Sequence, residues 1–339
     1  MSSEEAARSS GRTVLVTGGA GYVGSALVPR LLIAGHRVKV LDLYLYADDP
    51  LRACRSDPRL EEIRGDLRDL PLLRQHLADC DTVIHLACIS NDPSFDLDPV
   101  LGRSINFEAF EPMVRAARDA GVTRFVYAST SSVYGVKPQQ DVGEDATLEP
   151  LTDYSRFKAM CEEVLARYQE PNFCTVTIRP ATVCGYSPRQ RLDVIVNILT
   201  NNAVNTGSIK ILGGAQKRPN IHIEDMVDLY VQLLELPAER IAGKIYNAGS
   251  ENFTVKELAE KVRTVVGEHV TMVVEPTNDE RSYHISSARI ERELGFRPKR
   301  TIEDAVGDLV AAFRRGDLPN PLTDKRYFNV QALKAADLA

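Results

Sequence analysis

The run VLVTGGAGYVGS, residues 14–25, joins an apolar stretch to three glycines, Gly18, Gly21 and Gly24, and then to a helical pattern. A strand that turns at once into a helix needs positive φ angles, and a charged ligand can approach the main chain closely only where side chains are missing. Glycine supplies both. The helix beginning near Tyr22 then offers free N–H groups and the positive end of its dipole at the turn. The stretch therefore predicts a strand–turn–helix unit built to receive a pyrophosphate.

The same rhythm continues outward. RTVLVT (12–17), RVKVLD (37–42), LEEIRGD (60–66), DTVIHLA (81–87), TRFVYAST (123–130) and FCTVTIRP (173–180) read as strands. SALVPRLLIAG (25–35), LRDLPLLRQHL (67–77), INFEAFEPMVRAARDAG (105–121) and YSRFKAMCEEVLARY (154–168) read as helices between them. Repeated βαβ units of this kind predict an α/β fold, a doubly wound parallel sheet covered on both faces, with ligands bound beyond the carboxyl ends of the strands. Pro29 and Pro112 fall inside helical patterns and predict a kink or a boundary at each. After residue 185 the rhythm changes: SPRQRLDVIVNILTNN (187–202) reads as a helix, IKILGG (209–214) and HVTMVVE (269–275) as strands of a smaller C-terminal lobe. The expected division is a tail over 1–10, a dinucleotide-binding domain over 11–186 to which 220–250 returns, and a substrate lobe over 187–219 and 251–339.

Composition narrows the partners. A chain of 339 residues with 44% hydrophobic content buries a large core, and a formal charge of -6 with dispersed Lys and Arg argues against nucleic acid or an anionic membrane surface. No apolar run approaches the length of about 20 residues that spans a bilayer, and the acidic, polar start MSSEEAARSS reads as a frayed tail in the cytoplasm. The six cysteines have no C-x-x-C spacing and read as reduced, mostly buried thiols, so no metal site is expected.

Two constellations carry chemistry. Asp42 closes the second strand, where a carboxylate accepts both hydroxyls of an adenosine ribose. That favours NAD over NADP, because a 2′-phosphate would meet a like charge, although Arg52 and Arg55 stand nearby. Asp66, in RGDL, reads as a partner for the adenine amino group or as the N-cap of the following helix. Tyr154 and Lys158, at i and i+4, share one helical face, so an ammonium can stabilise a phenolate. A tyrosine of ordinary pKa about 10 is a poor base at neutral pH, and each unit of lowering requires about 1.4 kcal/mol of preferential stabilisation of the anion. The strand before this helix ends in STSSVYG (129–135), placing the Thr130 hydroxyl where it would fix the same substrate oxygen.

Taken together, TGGAGYVGS, Asp42, GDL at 65–67, HLAC at 85–88, Asn106, STSSVYG, Tyr-Ser-Arg-Phe-Lys and RPATVCG at 179–185 resemble an extended short-chain dehydrogenase/reductase of the nucleotide-sugar epimerase/dehydratase family. The resemblance implies a Rossmann domain holding NAD through Gly18, Gly21, Tyr22, Val23 and Asp42, with Asp66, Leu67, Leu86, Ala87, Asn106 and Ser129 along the cofactor. It implies that Tyr154 takes a proton from a sugar hydroxyl, usually at C4, beside Thr130, while Lys158 also holds the nicotinamide ribose. A nucleoside-diphosphate sugar would meet Thr130, Thr182, Arg191, Arg218 and Arg281, and Asp225 would brace its helix. A homodimer through the helices at about 100–121 and 153–168 is the family expectation, with Phe107, Phe110, Met113, Met160 and Val164 serving that interface or the core.

Departures from the family pattern point to the reaction. The 4,6-dehydratases carry Asp-Glu after the catalytic Thr, where this chain has Ser131 and Ser132; glucuronate decarboxylases usually carry Glu at the latter position. Thr182 stands where many relatives have Asn, and Ser90 where the galactose epimerases have lysine. The loop SPRQRLD (187–193) can bring Arg189 and Arg191 to a phosphate or an acidic sugar, or form an ordinary solvated loop. The expected function is an NAD-dependent nucleotide-sugar oxidoreductase working as a C4 epimerase of the UDP-glucose 4-epimerase type through a transient 4-keto sugar. A 4-dehydrogenase that releases the ketone uses the same residues, and a non-catalytic NAD-binding regulator uses the same fold.

Overall fold

The computed structural model describes residues 11–336 apart from 140, 278–281 and 283. Six apolar runs become strands β1 (Thr13–Thr17), β2 (Arg37–Asp42), β3 (Leu60–Arg64), β4 (Thr82–His85), β5 (Arg124–Ala128) and β6 (Cys174–Pro180). They continue in chain order with β7 (Thr182–Cys184), β8 (Ser208–Leu212), β9 (Lys217–His222), β10 (Lys244–Ala248), β11 (Glu251–Thr254) and β12 (Thr271–Glu275). The longer helices are α1 (Tyr22–Ile33), α2 (Leu70–Leu77), α3 (Phe110–Asp119), α4 (Asp153–Ala166), α5 (Ile195–Thr206), α6 (Ile223–Glu235), α7 (Val255–Val266), α8 (Ile302–Arg315) and α9 (Asn329–Ala335).

The main sheet has seven parallel strands in the order β3-β2-β1-β4-β5-β6-β10. Side chains alternate across it: Val14 and Val16 of β1 pack with Leu27, Val28 and Leu31 of α1 and Val227 of α6, whereas Leu15 faces Leu73, Phe110, Met113 and Leu165. Both faces are thus buried, which a parallel sheet requires. The winding reverses between β1 and β4, and that switch point opens a crevice at the strands' carboxyl ends.

A second cluster forms where α5, α7 and α8 bury Val196, Leu199, Leu258, Val262 and Val306 against the parallel pair β8–β12. A three-stranded sheet, β11-β9-β7, joins it to the main sheet, to which α6 and β10 return. Thr254 with Glu257 and Thr301 with Asp304 form capping boxes that fix the starts of α7 and α8. Asp225 braces α6 by accepting from the backbone N–H groups of Lys299 and Arg300, at 3.1 and 3.0 Å.

Local expectations needed two corrections. The helix predicted over 187–202 begins only at Ile195. Before it, the Gln190 amide bonds Ser187 N, Gly185 O and Arg191 O at 2.9, 3.2 and 2.8 Å, so side chains satisfy a backbone that a helix would otherwise have satisfied. Pro112 marks a boundary, one of its two expected outcomes: a π turn over Ser104–Glu108 precedes α3 and leaves the proline in the first turn, where no N–H is needed. Pro29 lies inside α1, which continues to Ile33. All six cysteines are free thiols, four of them buried. Among the described residues no helix is long and apolar enough to cross a membrane, and no cluster of His, Cys, Asp and Glu suits a metal ion.

Candidate active site

The crevice deepens into a cavity of about 490 Å³ that runs from the glycine turn to Thr182 and Arg218. At one end, Gly18 has φ +75°, and a Cβ there would stand 2.6 Å from Ala87 N, so the turn and the close packing against β4's end both demand glycine. At Gly24 a Cβ would meet Gly18 O at 2.4 Å, which explains the third glycine: it seats α1 against the turn. The first turn of α1 has no acidic residue and no side-chain cap at Gly21, leaving its N–H groups and dipole open to an anion. Tyr22 lines the cavity, and its hydroxyl donates to Gly185 O at 2.7 Å and ties α1 to the loop after β7.

Asp42 accepts from Ala20 N at 3.0 Å and Tyr44 N at 2.8 Å and lines the cavity, with burial raising its carboxyl above the usual range. Arg55 is held by Glu62 and Asp49, at 3.0 and 2.8 Å. Asp66 lines the cavity too. Burial opposes its ionisation, but hydrogen bonds from Arg68 outweigh that and hold its carboxyl below the usual range. It is not the cap of α2; Asp69 is, accepting from Leu72 N at 3.0 Å. Val23, Leu67, Leu86, Ala87 and Ser129 complete this wall. Asn106 does not: from the π turn it bonds both N and O of Ile89, at 2.8 and 2.9 Å, and so positions the loop after β4.

Tyr154 and Lys158 on α4 and Thr130 at the end of β5 meet on the opposite wall. Thr152 starts α4 with a capping box to Ser155 and donates to Asp92 at 2.6 Å, which fixes where the helix enters the cavity. The Thr130 hydroxyl hydrogen-bonds Ser132 Oγ at 3.0 Å. Lys158 Nζ donates to Ala128 O at 2.6 Å and lies 5.0 Å from the Tyr127 ring centroid. The expectation of an acidified phenol joins Lys158 to an oxidised nicotinamide; the chain's own groups act in the opposite direction. Burial, then the fields of Cys88 and Asp92, push Tyr154 well above its ordinary value, and the lowering effects of Arg191 and Thr130 are weaker.

Beneath this wall lies a network that single-sequence reading missed. Arg179 and Glu162 form an ion pair at 2.6 Å with side chains only 3% and 4% exposed. Ser129 donates to Glu162, and Arg179 donates to the Tyr134 hydroxyl at 2.7 Å. Two neutral strand-end residues thereby acquire a rigid support.

On the third side, Thr182 and Arg218 line the cavity from β7 and β9. Arg281 lies outside the described residues. The loop before α5 is not solvated: Arg189 and Arg191 are 2% and 9% exposed and both line the cavity. Ser187 and Arg189 N bond Ser25 of α1, at 2.8 and 3.0 Å, which pulls the loop inward. Asn329, from α9, also reaches the cavity, bonding Arg189 at 2.5 Å and Ser90 at 2.9 Å. No local pattern marked Asn329; the signal for the arginines was two charges and Asp193 set close together beside an apolar run.

Comparisons with known proteins find similar enzymes. The chain is 31% identical over 316 residues to a dTDP-glucose 4,6-dehydratase of Streptomyces griseus, covering 89% of this chain and 94% of that one. It is 31% identical over 313 residues to a UDP-glucose 4-epimerase of Mycolicibacterium smegmatis, covering 88% and 98%. The crystal structure of DesIV, a dTDP-glucose 4,6-dehydratase from Streptomyces venezuelae with NAD bound, superposes with a TM-score of 0.80 at 28% identity, covering 89% and 97%. These relatives are enzymes that run more than one reaction on one framework. Residues 14–249 match the model of a single family, and with the glycine turn, the crevice and the tyrosine wall in place, the chain belongs to the NAD dependent epimerase/dehydratase family, whose cofactor is NAD.

Proposed function

We propose that the protein is a nucleotide-sugar C4 epimerase. The observation that carries this reading is the wall around Thr130: its neighbours Ser131 and Ser132 line the cavity and bring no carboxylate, so the acid–base pair that elimination of water needs at adjoining carbons is missing there. Oxidation and re-reduction at one carbon needs less. Bound NAD supplies the hydride acceptor. The residues suited to hold it are the α1 N-terminus, Asp42 and Lys158, which fit because the Gly18–Gly21 cradle excludes side chains and Asp42 is already oriented by two backbone donors. Tyr154 holds the proton of the sugar hydroxyl, and Thr130 fixes the oxygen that gives it up. Lys158, oriented by Ala128 O, lines the same cavity one helical turn from Tyr154. Thr182, Arg218 and Arg281 receive the sugar and its diphosphate in this reading, in the lobe formed by 187–219 and 251–339.

The same reading includes a homodimer. Phe110, Met113 and Val164 are core residues, but Phe107 and Met160 are half-buried, Phe107 stacks on Phe157 at 5.3 Å, and Val100 and Leu151 are exposed beside them. Light scattering on the purified protein measures this directly, and a monomer refutes it.

A panel of nucleotide sugars, incubated with the protein and followed by NMR, tests the reaction. Inversion at the 4-hydroxyl without added NAD is the expected result. Accumulating NADH with a released ketone supports the dehydrogenase instead, and a 4-keto-6-deoxy product overturns the argument from Ser131 and Ser132.

A further inference from the structure

Arg189 and Arg191 carry more positive charge into the cavity than the protein itself answers. Arg191 pairs with Asp193 at 2.8 Å, but Arg189 makes no ion pair among the described residues. Its guanidinium has the neutral Asn329 Oδ1 at 2.5 Å and the Tyr46 ring at 4.1 Å. Two buried donor atoms, Arg189 Nε and Arg191 Nη2, have no hydrogen-bond partner among the described residues. Burying guanidinium groups side by side with donors unmet is costly unless an anion completes the site. Burial and the field of Arg191 also lower Arg189 to about 10, the mark of a cation placed where charge is disfavoured.

Position identifies the anion. Arg189 is bonded through its backbone to Ser25 of α1 and feels the field of Asp42. Arg191 lies within the fields of Tyr22 and Tyr154 and reaches Ser90 Oγ at 3.4 Å. Arg189 therefore lies on the Asp42 side of the cavity and Arg191 on the Tyr154 side. With adenosine ribose at Asp42 and nicotinamide at Tyr154, the diphosphate bridge falls between the two.

We propose that Arg189 and Arg191 seat the diphosphate bridge of the dinucleotide, with Asn329 as the positioning residue that aims Arg189. This rests on the placement of the cofactor between Asp42 and Tyr154. It makes α9 part of the grip on the cofactor. The bridge of a nucleotide sugar has the same chemistry, and the test separates the two.

Full-length Arg189→Gln, Arg191→Gln and Asn329→Ala, freed of cofactor, are titrated calorimetrically with ADP-ribose, adenosine and UDP. Each arginine variant is expected to bind ADP-ribose about tenfold to a hundredfold more weakly, the scale of a lost charge-assisted hydrogen bond, with adenosine and UDP changed less than about twofold. Asn329→Ala is expected to lose roughly threefold to tenfold for ADP-ribose alone. Loss for UDP with ADP-ribose unchanged assigns the arginines to the substrate and overturns the proposal; equal loss for adenosine and ADP-ribose, or no loss, does so as well. If circular dichroism shows an arginine variant unfolded, Asn329→Ala decides by the same criteria. Absence of ADP-ribose binding to the unaltered protein refutes the cofactor placement itself, a failure distinct from a variant that binds normally.

Discussion

Lys158 Nζ and the carbonyl oxygen of Ala128 are 2.6 Å apart, so the ammonium of α4 is pinned to the end of β5, directly under the wall that carries Thr130. The contact fixes the cation before any ligand arrives, while burial is the largest of the chain's own influences on the Tyr154 phenol and raises it. Tyr154→Phe is expected to keep NAD affinity and to lose at least about a hundredfold in rate, the scale of acid–base catalysis. Steady-state kinetics beside a cofactor titration measure both, and near-normal turnover refutes the assignment.

The field of Asp92 is among the causes that raise Tyr154, after burial and Cys88. Asp92→Asn keeps an acceptor for Thr152 but removes the charge, which favours the phenolate. The rising limb of kcat/KM against pH is therefore expected to move to lower pH. An unmoved or alkaline-shifted limb contradicts the electrostatic account of this wall.

The Arg179–Glu162 pair is buried on both sides. Removing one partner leaves an uncompensated charge, so Glu162→Ala is expected to cost about 3–5 kcal/mol in urea unfolding. Arg179→Met combined with Glu162→Gln is expected to cost less than Glu162→Ala alone, because no isolated charge remains.

His85 is fully buried beside Phe110 and Tyr127 and bonds the Thr17 hydroxyl at 2.7 Å; burial, aided by Lys158, lowers it to about 3. The unfolded chain takes up this proton near pH 6.5 and the folded one does not until about 3, so stability from this residue is full above 6.5 and falls with pH by about 1.4 kcal/mol per unit down to about 3. His85→Gln is expected to show a pH dependence of unfolding shallower by one proton between pH 6 and 4. Parallel curves for the two proteins refute a neutral buried imidazole.

Much of this was legible because local rules and global fold agree. The glycine turn, Asp42, Thr130 and the Tyr154–Lys158 pair all sit where a strand end or a helix face, read from a few neighbouring residues, puts them. What escaped depends on distant contacts. Nothing near Gln190 shows that its amide will replace a helical turn, and nothing near Arg189 shows that Ser25 and Asn329 will draw it inside. The burial around the phenol escaped for a related reason: i, i+4 spacing gives proximity of a cation, but the depth of burial that opposes it is set by the whole cavity. Pro112 did announce a boundary, although the π turn before it, which no propensity announces, did not show.

The contact between Ser90 and Asn329 spans 239 positions of sequence. A pocket stitched together over such a distance cannot exist on a half-made chain: during translation the glycine turn and the tyrosine wall emerge early, yet the arginines stay unaimed until residue 329 is released. Cofactor capture by nascent chains should therefore lag behind formation of the parallel sheet, and bound dinucleotide reports completed synthesis rather than a folded first half.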